Sequence, residues 1–536
     1  MNTSMNTSTW NRRMVVAAVC LGALLSAGVI GSATAQTPVS GGHFRRALSS
    51  DPANLDPALT NTSRAIAVKM TIFDSLLRQN PKTLAIEPGA AESWSVSSDG
   101  KILTFRLHRG IRFHHGREMT SDDVRYTIER ILTPEMGSPF IRAFDRLVGA
   151  KEFTNGQARE VSGIKILDRY TIQITNSVVD STFPLTFTGL FIVPRDEAER
   201  LGRDFGQRPV GSGPFIFVSW SRDSSVLLKE NPSYWEGRPY ISALEFRIIP
   251  DPATLQAEFE TGRLDFILLE DPTYRRYADD PAWKPYVVEV AELFTRHMGL
   301  NTTKPPLNDV RVRQAINYAI DKATTVRTVL QDKAFVATGV FPPSLAASDP
   351  TLRGYEYNPQ RARELLAQAG VPTGFEMDLN GSSSPVAGRW LEVLQRYLAD
   401  VGIRARLVQQ DFGVMLDRAG KGELMAYVLS HGGGSNCVNY LGPFRSRNFG
   451  IAGNRMFYRN ERVDALMDEA ERTFDAARQI QLCREAERLV VADAPWFFWN
   501  YNKAALVHQP NVHGIVGNPL ELDWIQMHKV WIQPRR

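Results

Sequence analysis

The sequence predicts an α/β protein divided into at least two lobes. At 536 residues it is too long for one ordinary hydrophobic core. Segments with strand-like alternation of apolar residues follow segments with helical periodicity over most of the length, a pattern typical of mixed α/β layers. The composition, 43% hydrophobic and 22% charged, is that of a folded soluble protein.

Local patterns predict the elements in chain order. Helix starts are marked by side chains that cap backbone N–H groups, and turns by Gly, Pro, Asn and Asp. The clearest predicted features are a helix over 65–77, a hairpin turning at 98–101, a helix capped at 120–122, a hairpin with Asp168-Arg169 at its tip, a turn at 211–214 before two strands, a helix ending at Gly262, helices capped by Asp309 and Asn358, and helices over 387–401, 462–474 and 476–491.

The first 35 residues are predicted to be a signal peptide that is removed during export. Arginines at 12 and 13 precede an uncharged run over 14–30, and Ala33-Thr34-Ala35 gives the small-x-small pattern read by signal peptidase. The run is short for a membrane span, and no positively charged flank follows it. The mature protein is therefore expected to begin at Gln36 and to reside in the periplasm, through either general secretory or twin-arginine export.

Export leaves two cysteines in the mature chain, Cys437 and Cys483, because Cys20 lies in the predicted signal peptide. Disulfides form in oxidising compartments, so these residues either pair or remain two buried thiols. Their separation along the chain says nothing about their distance in space, and both alternatives stay open.

Charge and motif content exclude several function classes. The formal charge is +4, and two of these charges belong to the predicted signal peptide. No basic tract is present, so no nucleic acid partner is expected. The sequence contains no His-Glu-x-x-His motif, no P-loop and no dinucleotide fingerprint. The pair His114-His115 lacks further ligands at suitable spacing, and we predict neither a metal site nor a cofactor.

One motif resembles a catalytic element. His431 and the three glycines after it resemble the oxyanion loop of lipases, in which backbone N–H groups stabilise a developing negative charge. Such a hydrolase also needs a Gly-x-Ser-x-Gly nucleophile further along the chain, and the sequence has none. The residues therefore predict a protein that is not an enzyme, with a secreted esterase as the alternative.

Several segments, in their order along the chain, resemble one family. They are SDPANLDP, EPGAAESWSVSSDGKILTFRLHRGIRFHHGREMTSDDVRYTIERI, PVGSGPFIFVSW, NPSYWEGRP, NDVRVRQAINYAIDK and ADAPWFFWNYN. Together they span essentially the whole mature chain and resemble the bacterial extracellular solute-binding proteins of family 5. These are the periplasmic dipeptide- and oligopeptide-binding proteins of ABC importers.

The resemblance implies a fold, its division and its partners. The fold is an α/β bilobal periplasmic-binding-protein clamp, with two α/β lobes, a two-strand hinge and an extra domain beside lobe one. The expected ranges are signal peptide 1–35, lobe one 36–65, 184–294 and 508–536, extra domain 66–183, and lobe two 295–507. The implied protein is a monomer that closes on a peptide or similar polar solute and delivers it to a membrane permease.

The resemblance also implies ligand contacts. In peptide-binding relatives, an aspartate in the segment that aligns with SHGGGSNCVNYLGPF grips the ligand's ammonium group, and an ungapped count places Gly433 there. Other contacts are implied after the first lobe-one strand, on the hinge and after a lobe-two strand. The predicted ligand-binding residues are Ser49, Ser50, Arg296, His297, Asn380, Ser382, Arg389, Ser430, His431, Gly432, Gly433 and Asn436.

The missing aspartate leaves the cargo open, because no Asp or Glu occurs over 424–460. One alternative is a non-peptide such as an anion, opine, oligosaccharide or metal chelate. Glycine N–H groups would then receive it, with positive charge from Arg296, His297 and His431. The other alternative is a peptide whose ammonium group meets a different acid, such as Asp51. A buried ammonium group needs such a partner. A third reading is that the glycines merely form a tight loop.

Overall fold

The computed structural model describes residues 37–60 and 62–534, without the side chains of residues 271 and 272. The predicted signal peptide lies outside the described residues. Ser40–Arg536 forms one structural unit, and the elements below belong to it. Among the described helices, none combines the length and apolarity needed to cross a membrane.

The described residues form nineteen strands. They are β1 His43–Leu48, β2 Leu77–Gln79, β3 Ile86–Pro88, β4 Ala91–Val96, β5 Ile102–Leu107, β6 Ile164–Asp168, β7 Thr171–Thr175, β8 Phe215–Ser221, β9 Ser225–Glu230, β10 Ala243–Ile248, β11 Phe266–Leu268, β12 Val287–Leu300, β13 Ala334–Val336, β14 Glu376–Ser382, β15 Arg404–Gln410, β16 Ala426–His431, β17 Trp496–His508, β18 Val512–His513 and β19 Trp531–Ile532.

The same residues form sixteen α-helices. They are α1 Ser63–Ile72, α2 Ser121–Leu132, α3 Ile141–Phe144, α4 Ala150–Thr154, α5 Phe183–Thr186, α6 Arg195–Leu201, α7 Pro252–Glu260, α8 Asp271–Ala278, α9 Val310–Ala319, α10 Lys322–Thr328, α11 Pro359–Gln368, α12 Pro385–Ala399, α13 Phe412–Gly420, α14 Cys437–Tyr440, α15 Glu461–Arg472 and α16 Ala476–Asp493.

Helix α12 illustrates how the sequence specifies these elements. The Ser384 hydroxyl accepts a hydrogen bond from the N–H of Ala387, and Pro385 supplies the pre-set backbone angle of the first turn. Leu391, Leu394 and Leu398 recur at helical spacing and are buried in the core of lobe two. The helix thus begins directly after strand β14 and covers one face of the lobe-two sheet.

One sheet of eleven strands runs through both lobes. Its order is β15-β14-β16-β12-β17-β11-β1-β10-β9-β8, with β13 paired to β17. The lobe-two strands β15, β14 and β16 are parallel, and β1 is parallel to both β10 and β11 in lobe one. A separate antiparallel sheet, β4-β5-β7-β6, packs with α2 around its own hydrophobic core in the extra domain.

Strands β12 and β17 connect the two lobes. At one end β17 pairs with β11 of lobe one, and at the other end β12 pairs with β16 of lobe two. Their own antiparallel pairing is interrupted between Ala291 and Thr295. The predicted boundary between lobe one and lobe two, at 294/295, falls within this interruption. The two-strand connection and the mixed sheet agree with the predicted α/β bilobal fold.

Most predicted elements are present with boundaries shifted by a few residues. The helix predicted over 65–77 is α1, Ser63–Ile72. The side chains of Asp309 and Asn358 cap α9 and α11, as predicted. The predicted start of the extra domain at 66 falls inside α1, whose buried residues Val68 and Ile72 pack in the lobe-one core.

Candidate functional site

The interruption between the crossing strands places a row of polar side chains at the junction of the lobes. In the β12–β16 ladder Arg296 is opposite Ser430, and in the β12–β17 ladder it is opposite Asn500. Residues directly opposite in antiparallel strands share one face of a sheet. Ser430, Arg296 and Asn500 therefore form a continuous row at the base of lobe two.

The centre of this row is a cation lying over an aromatic ring. The Arg296 guanidinium carbon is 3.9 Å from the centroid of the Trp390 indole ring on α12. An arginine in this position is held by attraction to the ring face while its N–H groups keep a fixed plane. Arg296 was a predicted contact, whereas Trp390 was not among the predicted contacts.

Asn500 has an unusual environment for an amide. Its side chain is fully buried, yet neither the amide nitrogen nor the amide oxygen has a hydrogen-bond partner among the described residues. Buried polar groups are normally paired, and an unpaired one is costly. The amide is therefore suited to meet a donor and an acceptor of a bound solute. Nothing in the local sequence identifies Asn500, because it sits in an aromatic strand that reads as core.

Two partly buried glutamates lie on the lobe-one side of the same junction. The N–H of Leu293 donates to the carbonyl of Pro519 at 3.2 Å, which brings the segment containing Glu521 alongside Glu292. Burial and then the neighbouring charges of Asp523 and Glu292 raise the pKa of Glu521. Burial likewise raises the pKa of Glu292, although the charge of Lys333 and a hydrogen bond from Asn502 oppose the shift. Sequence analysis predicted neither glutamate.

The lobe-one wall contains the predicted serines. The Ser49 hydroxyl accepts a hydrogen bond from Nε of Arg64 at 2.9 Å, and Ser50 is exposed beside it. Asp51 is engaged elsewhere, because its carboxylate accepts from the Trp220 indole at 2.8 Å and lies 3.4 Å from the Arg222 guanidinium. Asp51 is thus poorly placed to become the alternative ammonium partner.

Glycine is needed at the three positions 432–434 for steric and backbone reasons and not for contact with a ligand. A Cβ atom on Gly433 would lie 2.3 Å from the Cα atom of Tyr440, and one on Gly432 would lie 2.6 Å from the Phe294 ring. Gly434 has a φ of +68°, a left-handed conformation that side chains rarely adopt. An aspartate at 433, the position implied by the alignment, would collide with the backbone of α14.

The two predicted histidines do not supply positive charge. His297 stacks on the Trp496 ring with centroids 3.6 Å apart, and burial lowers its pKa to about 3. His431 donates from Nε2 to the carbonyl of Tyr440 at 2.9 Å, and burial lowers its pKa to about 4. Both rings are neutral at pH 7. The expectation of positive charge at these two positions is therefore wrong, and Arg296 alone of the three carries it.

The remainder of the glycine loop is fixed by bonds to other parts of the protein. Asn436 caps α14 by accepting from the N–H of Val438 and donates to the Gln479 carboxamide. Cys437 is joined to Cys483 in a disulfide, which ties α14 to α16. The loop is therefore a rigid wall, and the Asn436 side chain makes structural contacts at both ends of its amide.

The other predicted lobe-two residues have different environments. Asn380 is buried and donates to the Ala426 carbonyl at 2.9 Å, so it links β14 to β16. Ser382 lies at the end of β14, where the carboxyl ends of three parallel strands meet. Arg389 is exposed on the first turns of α12, one residue before Trp390. Ser382 thus lies at the same edge of the lobe-two sheet as Ser430, and Arg389 neighbours Trp390 in the sequence.

The chain matches a known protein family over most of its length. The family model of bacterial extracellular solute-binding proteins, family 5 middle region, matches residues 85–449. Heme-binding protein A of Haemophilus influenzae is 29% identical, with 95% of this chain and 97% of that protein aligned. Di/tripeptide-binding protein 2 of Pseudomonas aeruginosa is 28% identical, with 88% and 91% aligned.

Solved structures agree with these sequence matches. HbpA2 from Haemophilus parasuis superposes with a TM-score of 0.82 at 27% identity, covering 92% of this chain and all of that one. The predicted family and bilobal fold are confirmed, and the family consists of binding proteins of ABC importers. The chain belongs to the bacterial extracellular solute-binding proteins of family 5.

Proposed function

We propose that this protein is the periplasmic solute-binding component of an ABC importer whose cargo is a short peptide or another small solute with a free ammonium group. It binds and delivers its cargo and performs no chemistry on it. The relatives are named for heme and for di- and tripeptides, so family membership alone does not select the cargo. The selection rests on the charges at the crossing strands.

The observation that carries the proposal is the pair Glu292 and Glu521. An ammonium group enclosed between two lobes loses its hydration and needs an acidic partner or several acceptors. The segment that holds the family's usual aspartate has none over 424–460. Two partly buried carboxylates with raised pKa values instead lie beside the crossing strands. A bound ammonium group would offset the burial of both carboxylates and the repulsion that Glu292 exerts on Glu521, which gives each a physical reason to bind it.

The mechanism follows from the position of the site. Glu292 lies within the interrupted stretch of the β12–β17 pairing and Arg296 just after it, where the lobes join. A solute bound there touches both lobes, so it favours the arrangement in which the lobes approach each other. The permease then distinguishes the loaded form from the empty one. Arg296 and the Asn500 amide are suited to the cargo's carboxylate and peptide groups.

A second candidate is an anionic solute without an ammonium group. The absence of acids over 424–460, together with the Arg296 guanidinium above Trp390, favours it. In this case Arg296 and Asn500 would hold the anion, and the two glutamates would be bystanders. The two candidates differ in which charged residues control affinity.

The test compares substitutions at the hinge with a matched control. Glu292→Gln and Glu521→Gln should each weaken binding of the tripeptide Ala-Ala-Ala roughly 10- to 100-fold, the value of one charge-assisted hydrogen bond. N-acetylation of the peptide should produce a similar loss in the wild-type protein. Glu289→Gln, on the same strand but exposed and beside Lys503, should leave affinity unchanged. Isothermal titration calorimetry measures all of these.

The pH dependence provides a further check. Peptide affinity should fall as the pH drops through the raised pKa values of Glu292 and Glu521, because a protonated carboxyl no longer attracts the ammonium group. Native mass spectrometry of protein purified from its own periplasm identifies the solute carried in the cell. The peptide proposal would be contradicted if the solute carried in the cell were an anion without an amine. It would also be contradicted if the Gln variants bound Ala-Ala-Ala as tightly as the wild-type protein does.

A further inference from the structure

A cavity of about 230 Å³ lies in lobe one next to the proposed site. Its wall combines helix α1, the end of the extra domain and the C-terminal segment. The side chains around it are mainly aromatic or aliphatic; among them are Ile66, Met70, Phe140, Phe191, Leu520 and Trp524. Apolar clefts with a few convergent polar groups are typical of binding sites for small organic groups.

The cavity has polar groups that the protein leaves unpaired. The Nε2 atom of His528 is buried and makes no hydrogen bond within the described residues, and the nearest carboxylate, Oε2 of Glu236, lies 3.6 Å away. The indole N–H of Trp524 is likewise buried and unpartnered within the described chain. Both residues line the cavity. Since unpaired buried donors are costly, they indicate a group that completes them.

The charges around the cavity cancel, which favours an uncharged occupant. Arg78 and Glu236 form a two-bond ion pair with N–O distances of 2.6 Å. The Lys69 ammonium donates to the Thr60 carbonyl and is held near the Phe191 ring. Asp74 accepts from Ser212, Tyr234 and Trp235. The negative charge of Asp56 acts on Lys69, and that of Asp74 acts on Arg78. An additional ion would lack a partner here, whereas an apolar group with one acceptor would be satisfied.

Two residues of the cavity wall connect it to segments around the cargo site. Gln79 lines it and donates from its carboxamide to the hydroxyl of Ser435 in the glycine loop at 2.5 Å. Leu520 also lines it, packs against the lobe-two core and precedes Glu521. The proposed ammonium anchor Glu521 thus directly follows a residue of the cavity wall in the chain.

We propose that this cavity receives a bulky apolar or aromatic group of the cargo and that Trp524 and His528 bind a hydroxyl or carbonyl on that group. This inference rests on the proposed function and narrows its substrate class. Cargo with a phenolic or other large side chain would be preferred over cargo with small side chains. Discrimination by one apolar pocket is typically roughly 10- to 200-fold in affinity.

The experiment fills the cavity and compares peptides that differ in one side chain. Wild-type protein should bind Ala-Tyr-Ala at least roughly tenfold more tightly than Ala-Ala-Ala. Met70→Trp should abolish this preference, because the larger side chain fills the cavity. It should change the affinity for Ala-Ala-Ala by less than about twofold, because the ammonium anchor is left intact. Leu167→Trp, at an exposed position of β6, is the matched control and should retain the preference. Thermal unfolding checks that each variant is folded.

A fragment probe separates this inference from the proposed function. The phenol p-cresol should bind wild-type protein in ligand-observed NMR, and this binding should be lost in Met70→Trp. Trp524→Phe should weaken p-cresol but not toluene, because the substitution removes an N–H donor and keeps an apolar ring. If no tripeptide binds, the peptide proposal fails while p-cresol still tests the cavity. Equal effects of Met70→Trp on both tripeptides, or undiminished p-cresol binding, would overturn the inference.

Discussion

Replacing Glu487 by Gln should change how the stability of this protein depends on pH. Glu487 lies on α16 and is 1% exposed. Its Oε1 atom accepts the N–H groups of Val340 and Phe341, each at 2.8 Å, whereas Oε2 has no partner among the described residues. Burial raises its pKa from 4.5 to about 8. Glutamine keeps the accepting oxygen and cannot ionise, so it isolates the titration.

The direction and size follow from linkage between protonation and folding. A carboxyl with a higher pKa in the folded state binds its proton more tightly there, so its stabilising effect is complete below pH 4.5 and is lost as the pH rises to about 8. Each unit of pKa difference is worth about 1.4 kcal/mol, which makes the whole effect about 5 kcal/mol. With an unfolding entropy of about 1 kcal/mol/K for a chain of this size, the melting temperature changes by about 1.3 °C per pH unit.

Differential scanning calorimetry from pH 4.5 to 9 measures the melting temperatures of the wild-type protein and the variants. The melting temperature of Glu487→Gln minus that of wild type should rise by about 4–5 °C between pH 4.5 and 8 and then level off. Glu485→Gln is the control on the same helix, since Glu485 is a partly exposed residue in an ion pair with Arg462. A difference for Glu487→Gln that stays constant across this range would refute the reasoning.

Two further predictions concern contacts that fix the site and the domains. Gly433→Ala should cost about 1–3 kcal/mol in urea unfolding, because its Cβ atom would overlap α14. Gly442→Ala, whose Cβ atom would meet nothing closer than 3.9 Å, should change stability little. Asp56→Asn should cost about 3–5 kcal/mol, because it leaves the guanidinium of Arg130 buried without its ionic partner. Asp378→Asn breaks an exposed pair and should cost less than about 1 kcal/mol. These assignments would be contradicted if Gly433→Ala and Gly442→Ala lost similar amounts of stability, or if Asp56→Asn and Asp378→Asn did.

The elements of the fold were predictable because their signals are local. Asp309 and Asn358 cap their helices through hydrogen bonds within a few residues, and apolar spacing alone identifies α12. The long mixed sheet was predicted through family resemblance, since pairing between β12 and β17 joins distant segments. The irregular pairing between Ala291 and Thr295 has no sequence signal.

The site was predictable only where a family alignment indicated it. Arg296 and Ser430, two of the predicted contacts, lie opposite each other in the β12–β16 ladder, and their role in binding stays a prediction. Glu292, Glu521 and Asn500 were missed because their meaning depends on neighbours from other segments and on burial, which a single sequence does not contain. Whether a histidine is charged also depends on its burial and on neighbours from other segments. His297 and His431 look like cations in the sequence and are neutral because aromatic rings enclose them.

The glycine loop and the crossing strands together indicate where an acidic anchor can and cannot lie in this clamp. The loop cannot hold an acid at 433, because Tyr440 occupies the space and His431 binds the carbonyl of that same residue. The disulfide between Cys437 and Cys483 further restrains the helix that follows. The anchor proposed at Glu292 lies on β12, where the lobes join, so binding energy would act directly on the hinge. Specificity in this protein should therefore respond more to substitutions on the crossing strands than to substitutions in the loop.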